Sequence, residues 1–112
     1  MSFQSLGLDP RLLQNVAKQG YVVTTPIQKK AIPAILEGRD VVGLAQTGTG
    51  KTAAFVLPLL HRLMSGPRHQ LRALIVGPTR ELAEQTKDVV AKLGEHVGLR
   101  SVTIYGGVGQ QP

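Results

Sequence analysis

Eight residues, Ala45-Gln46-Thr47-Gly48-Thr49-Gly50-Lys51-Thr52, limit what this chain can fold into more than any other stretch. They lie between an apolar run, Val41-Val42-Gly43-Leu44, and a segment of helical periodicity from Ala53 to Met64, so the expected order is strand, glycine loop, helix. Gly48 and Gly50 can take backbone angles that turn successive N–H groups inward, and the helix behind them offers its positive end to an anion. Lys51 is placed to reach the β- and γ-phosphates of a nucleotide as a mobile charge, and the Thr52 hydroxyl to ligate the Mg²⁺ that bridges the same oxygens. The pattern G-x-x-x-x-G-K-[ST] is met except at its first position, where Ala45 ends the strand. A glycine-rich hairpin with an incidental lysine is the competing reading. The GKT tripeptide and the flanks on both sides count against it. The stretch reads as a nucleoside triphosphate site.

A chain of 112 residues makes one domain, long enough for one core and short for a motor of two lobes. There is no apolar run of about 18 residues and no charged start or signal core at Met1-Ser2-Phe3-Gln4, so no membrane partner is expected and the expected location is cytoplasmic. Zero cysteines rule out disulfides and thiolate metal sites. A net charge of +6, from 13 Lys+Arg against 7 Asp+Glu, favours polyanions, with nucleic acid foremost. The basic residues are scattered and aromatics are 4% of the chain, which points to contact with a phosphate backbone over a base-stacking platform.

Asp9-Pro10 and Thr25-Pro26 both read as helix starts, a capping side chain followed by a proline preset for the first helical position. Leu12, Leu13, Val16 and Ala17 share a face of the first helix, closed by Gly20; Ile27, Ala31, Ile32, Ile35 and Leu36 form the stripe of the second, which Pro33 is expected to kink or split. Pro58 should bend the third helix without ending it. Ser65-Gly66-Pro67 is turn chemistry, followed by an expected exposed basic patch of Arg68, His69 and Arg72 and a second buried-type strand, Ala73 to Val76. Thr79 can cap a long helix whose core positions are Leu82, Ala83, Val89, Val90 and Leu93, and Ser101 to Tyr105 reads as a third strand. Fully apolar strands separated by helices indicate an α/β fold with a parallel sheet flanked by helices. Such sheets have about five or six strands. Three are written here, so the chain is expected to be the N-terminal part of a larger α/β domain, incomplete at its C-terminal end.

Gly20-Tyr21-Val22-Val23-Thr24-Thr25-Pro26-Ile27-Gln28, with Phe3 upstream, precedes the phosphate loop; Pro78-Thr79-Arg80-Glu81-Leu82-Ala83 follows it, and then Gly106-Gly107. In order and spacing these resemble the Q motif, motif I, motif Ia and GG motif of the DEAD-box ATP-dependent RNA helicases. The resemblance covers nearly the whole chain and implies the N-terminal portion of a first RecA-like domain (a P-loop NTPase fold), with residues 1–38 as Q-motif region and 39–112 as phosphate-loop core. It implies RNA-dependent ATP hydrolysis coupled to duplex unwinding by the parent protein, with ATP or ADP and Mg²⁺ as cofactors. A second RecA-like domain, which these residues do not contain, would be required for activity.

Residue by residue, the resemblance implies that Gln28 pairs with the adenine edge, that Tyr21 packs on the base and that Phe3 buttresses the pocket. Gln46, Thr47, Gly48, Thr49, Gly50, Lys51 and Thr52 would hold the phosphates, and Pro78, Thr79, Arg80, Gly106 and Gly107 the RNA sugar-phosphate backbone. A carboxamide suits adenine because it offers a donor and an acceptor, whereas the same edge of guanine shows two acceptors. The plainer roles are a polar first-turn Gln28, a core Tyr21, a capping Thr79 and an Arg80 paired with Glu84 one turn on. His61, His69 and His96 lack metal-ligand spacing and are expected on the surface.

The sequence departs from the family at Thr24, where a proline is usual. The Asp-Glu-Ala-Asp and Ser-Ala-Thr motifs are not within these residues, and the tail Gly109-Gln110-Gln111-Pro112 is expected to be a truncated or engineered end. Two other readings stand beside the helicase: a module that binds adenine nucleotides without chemistry, and a different phosphate-loop enzyme such as a DNA helicase or a metabolic kinase. The setting of Gln28 and Arg80 argues against the last. ADP should bind in preference to GDP by about 1 to 3 kcal/mol, the penalty for stranding a buried polar partner. Calorimetric titration of both diphosphates checks this, and equal affinities would contradict adenine recognition by Gln28.

Overall fold

Three of the four α-helices among the described residues begin where a side-chain cap is written. In the computed structural model, which describes residues 2–45, 50–67 and 70–104, the Asp9 carboxylate accepts from the Arg11 backbone N–H at 2.8 Å and starts α1, Pro10–Lys18. Thr25 caps α2, Pro26–Leu36. Gly50 precedes α3, Lys51–Leu63, and the Thr79 hydroxyl accepts from Leu82 N–H at 3.2 Å to open α4, Arg80–Leu93. A short 3-10 turn, Phe3–Leu6, leads into α1. The starts of α1 and α2 follow the expected ones because proline lacks one of the helix-end donors and the capping residue before it satisfies another, donors that water would otherwise have to meet.

Helix α2 runs unbroken through Pro33, so the expected split does not occur. The proline leaves the Lys29 carbonyl without its intrahelical donor, and Lys29 is an exposed residue that water can serve. Pro58 lies within α3 and is itself buried, adding an apolar ring to the core.

The core gathers on α3. Val56, Leu57 and Leu60 meet Ile32 of α2, Leu12 and Val16 of α1, and Leu93 and Val97 at the end of α4, with Phe3, Leu6 and Leu8 closing the cluster. Full burial of one such side chain removes enough apolar surface from water to stabilise the fold by about 1.5 to 3 kcal/mol. Helix α3 packs against both α2 and α4, and α1 touches α4. Two polar side chains enter this interior, Asn15 and Gln28, and no buried side-chain nitrogen or oxygen among the described residues lacks a partner.

The expected strands are a different matter. Among the described residues the segments 41–44, 73–76 and 101–104 form no ladder, and the β pairing present is one antiparallel bridge between Ser2 and Val23. Val42 and Leu44 are each 90% exposed, and Leu74, Val76 and Val102 are also open to solvent. A parallel sheet needs cover on both faces, and among the described residues most large apolar side chains of these segments are open to solvent. The surface area agrees: 7873 Å² for a 12.0 kDa chain, against about 6,000 Å² for a compact monomer of that mass. None of the helices among the described residues is long and apolar enough to cross a membrane.

With these apolar segments largely unburied, stability rests on the helical cluster. Leu57→Ala, which empties a site at 0% exposure, should cost about 2 to 5 kcal/mol. Urea unfolding followed by circular dichroism checks it, and a loss below about 1 kcal/mol would mean that the cluster is not the main source of stability.

Candidate nucleotide-binding site

Gln28 is the third residue of α2 and is 1% exposed. Its side chain closes a reciprocal cap: the Thr25 hydroxyl accepts from Gln28 N–H at 3.4 Å, and Gln28 Oε1 accepts from Thr25 N–H at 2.9 Å. Thr-x-x-Gln is a capping pattern in its own right, so the signal for this second half of the cap is present in the sequence beside the Thr25-Pro26 start. The other end of the carboxamide does something that no local pattern shows. Nε2 donates to the Gly50 carbonyl at 3.2 Å, across 22 residues of sequence. One amide hydrogen and one lone pair of Gln28 remain for a further partner.

Gly50 answers this with its conformation. It sits at φ 78°, ψ 23°, in the left-handed region, and its carbonyl also accepts the first bond of α3, from Ala54 N–H at 3.1 Å. A Cβ at this position would collide with the Gln28 carboxamide and lie against Thr25. Two requirements therefore exclude other residues: the positive φ and the close approach of a side chain from α2. Lys51, the first residue of α3, turns back so that Nζ donates to the Ala45 carbonyl at 3.1 Å, spanning the neck of the loop. Thr52 follows, half-buried, in the first turn. Gln46, Thr47, Gly48 and Thr49, expected to hold phosphate, lie outside the described residues.

Phe3 is buried in the core and meets the half-buried Tyr21 ring edge-on, with centroids 6.0 Å apart and planes at 69°. Such a T-shaped pair fixes the tilt of the outer ring from the core side. The two aromatics expected to act together are thus in contact.

A second group forms at the start of α4. Pro78, Thr79 and Arg80 line a cavity of about 480 Å³ with Leu74, Ile75, Val76, Gly77, Ala83 and Ile104. Gly106 and Gly107, expected beside them, lie outside the described residues, as do Arg68 and His69 of the expected basic patch. Arg72, the third member of that patch, is used elsewhere. Its guanidinium donates to the carbonyls of Leu63 at 3.0 Å and Pro67 at 3.2 Å, capping the end of α3. His61 departs from its expected surface role, because its ring is half-buried and Nδ1 accepts from Asp9 N–H at 3.0 Å. The backbone donor there needs an acceptor, and the imidazole is the one that α3 brings to it. His96 is exposed.

The described residues hold no group of three or more His, Cys, Asp or Glu that could bind a metal. A divalent ion here would take the Thr52 hydroxyl and otherwise oxygen from phosphate and water, which suits Mg²⁺ because it keeps much of its hydration.

A family model described as DEAD/DEAH box helicase matches residues 25–112, from the cap of α2 to the last residue. The chain belongs to the DEAD/DEAH box helicase family. This DEAD-box chain is 51% identical over 106 residues to the DEAD-box ATP-dependent RNA helicase RhpA of Helicobacter pylori, covering 95% of the chain and 21% of that protein. It is 54% identical over 108 residues to the ATP-dependent RNA helicase dbp10 of Schizosaccharomyces pombe, covering 96% of the chain and 13% of the relative. Among solved structures it resembles the RNA-helicase Prp28 from Chaetomium thermophilum bound to ADP, with a TM-score of 0.88, 43% identity and coverage of 96% of this chain and 27% of that one. A DEAD box protein from Methanococcus jannaschii gives a TM-score of 0.83 at 35% identity, over 97% of this chain and 30% of that one. The DEAD-box chain therefore spans less than a third of the length of each of these proteins.

Gly50→Ala tests the close approach that defines the site. Gly38 has a similar φ of 85°, and a methyl group added there would find nothing within 4 Å, so Gly38→Ala carries the left-handed strain alone, about 1 to 2 kcal/mol. Gly50→Ala should be the more damaging of the two by urea midpoint, because it also forces the Gln28 carboxamide away. Equal losses would mean that Gln28 is not held against Gly50.

Proposed function

We propose that this chain is the ATP-binding half-site of a DEAD-box RNA helicase, lying in the N-terminal portion of its first RecA-like domain. The observation that carries the reading is the Gly50 carbonyl, which accepts at once from Ala54 N–H in α3 and from the buried Gln28 carboxamide in α2. A residue chemically suited to adenine is thereby tied to the last glycine of a loop chemically suited to phosphate. Base and phosphate ends of one nucleotide would be read by a single rigid junction.

In this reading Gln28 uses its remaining hydrogen and lone pair on the adenine edge, Tyr21 packs on the base with Phe3 behind it, and Gln46 to Gly50 offer backbone N–H groups to the phosphates. Lys51 exchanges the Ala45 carbonyl for a phosphate oxygen, which is a stronger partner because it carries charge. The Thr52 hydroxyl supplies one Mg²⁺ ligand. Pro78, Thr79 and Arg80, with Gly106 and Gly107, hold RNA through its sugar-phosphate backbone, where a helix N-terminus and a guanidinium can share a phosphate. In the whole domain the segments 41–44, 73–76 and 101–105 would pair as strands of the RecA-like parallel sheet, although 41–44, 73–76 and 101–104 form no ladder among the described residues. The ADP-bound state of the similar Prp28 structure supports the nucleotide part of this reading.

The full activity of such a helicase, ATP hydrolysis coupled to local unwinding of RNA in the cytoplasm, also needs a carboxylate to orient water and an arginine to meet developing charge. Asp40, Glu81 and Glu84 are poorly placed to orient water, since one precedes the phosphate loop and two begin α4. An arginine finger is worth about 10³ to 10⁵ in rate. The second reading follows from this: the 112 residues alone bind adenine nucleotide and turn it over at background. Steady-state phosphate release with and without RNA, compared with Lys51→Ala, is the measurement. Nucleotide binding with turnover no faster than the variant supports both statements, and RNA-stimulated turnover that disappears in Lys51→Ala would reveal a catalytic carboxylate within these residues.

A further inference from the structure

Helix α4 is buried most deeply at its C-terminal end. Its buried residue is Leu93, the last of the helix; Val89 and Val90 are half-buried beside it, while Leu82 near the start is 45% exposed. At its beginning Arg80 and Ala83 line the cavity of about 480 Å³ together with Leu74, Ile75 and Ile104.

What grips the other end is Asn15 of α1. The side chain is 5% exposed, and its Nδ2 donates both hydrogens, to the Leu93 carbonyl at 2.9 Å and to the Glu95 carbonyl at 2.7 Å. These are carbonyls at the end of a helix, where intrahelical donors have run out. One turn along α1, Lys18 donates to both Glu95 carboxylate oxygens at 3.0 and 3.1 Å, and that hydrogen bond holds the Glu95 carboxyl below its ordinary range. Gly94 completes the grip, since a Cβ there would come within 2.8 Å of the Val90 carbonyl.

We propose that Asn15 is a positioning residue, which fixes the direction of α4 and so the place of Thr79 and Arg80 at its far end. The 14 residues of α4 span about 21 Å, so a tilt of roughly 5° at Asn15 moves Arg80 by about 2 Å. A hydrogen bond to phosphate tolerates only a few tenths of an ångström beyond its preferred length. Asn15 thus acts on a ligand it does not touch. The consequence for RNA rests on the function proposed above; the geometric statement does not.

The chain contains no cysteine, so a spin-label pair can be introduced at two exposed positions, Gln14→Cys on α1 and Glu81→Cys on α4, and the distance distribution read by pulsed electron resonance. Asn15→Ala should shift or broaden that distribution by about 2 Å. Asn15→Ser, which keeps one short donor and serves if the alanine variant does not fold, should give a smaller change in the same direction. Affinity for single-stranded RNA at low salt should fall about tenfold, the worth of one charge-assisted bond, while ADP affinity stays unchanged. A lower urea midpoint with an unaltered distance distribution would overturn the proposal and leave Asn15 as an ordinary stabilising contact. Should the unmutated chain bind no RNA while Asn15→Ala still broadens the distances, the positioning role stands and the RNA reading falls.

Discussion

The constraint on which the site depends is that one backbone carbonyl, that of Gly50, serves two donors from two helices. A carbonyl has two lone pairs, so the double use is chemically ordinary. Its effect is that the beginning of α2 and the beginning of α3 cannot move independently. Any shift of the loop before α3 must either carry the Gln28 carboxamide with it or leave a buried amide unpaired, which costs about 1 to 3 kcal/mol. The reciprocal cap between Gln28 and Thr25 adds to this rigidity, because the same side chain that reaches Gly50 also holds its own helix start.

Behind that junction the helices divide the labour. Helix α3 supplies both the first turn that would face phosphate and the densest part of the core, Val56, Leu57 and Leu60. A phosphate-binding loop benefits from such a mount, since backbone donors are useful only if they hold position while the ligand arrives. Asp9 N–H to His61 and Asn15 to the end of α4 extend the same principle outward: polar atoms at helix ends are satisfied by neighbouring elements, so the joints that align the helices are hydrogen bonds as well as apolar contacts.

Local chemistry made the helices legible. Asp9-Pro10, Thr25-Pro26 and Thr79 each start a helix as written, because a cap acts within three residues of itself and needs no knowledge of the rest of the chain. The core was partly legible: Leu12, Val16 and Ile32 are buried as their periodicity requires, whereas Leu82 is 45% exposed. Pro33 misleads because a missing donor matters less on a solvated face than the residue type suggests. The links from Gln28 to Gly50 and from Asn15 to Leu93 were out of reach, joining positions 22 and 78 residues apart that no periodicity relates. The strands fall between these cases. Their composition announces burial, but a strand exists only through a neighbour.

The open apolar segments also bear on how the molecule comes to be folded. Helices α2 and α3 are adjacent in sequence and pack on one another, so their closure is short and fast, whereas pairing among segments 41–44, 73–76 and 101–104 requires loops of about thirty residues to close first. The helical core is formed with Val42, Leu44, Leu74 and Val76 facing water. In this state the chain presents, beside a finished core, the kind of apolar surface that other chains bind indiscriminately. A chain in that state should be lost to association as concentration and temperature rise, more steeply than its helical core alone would suggest.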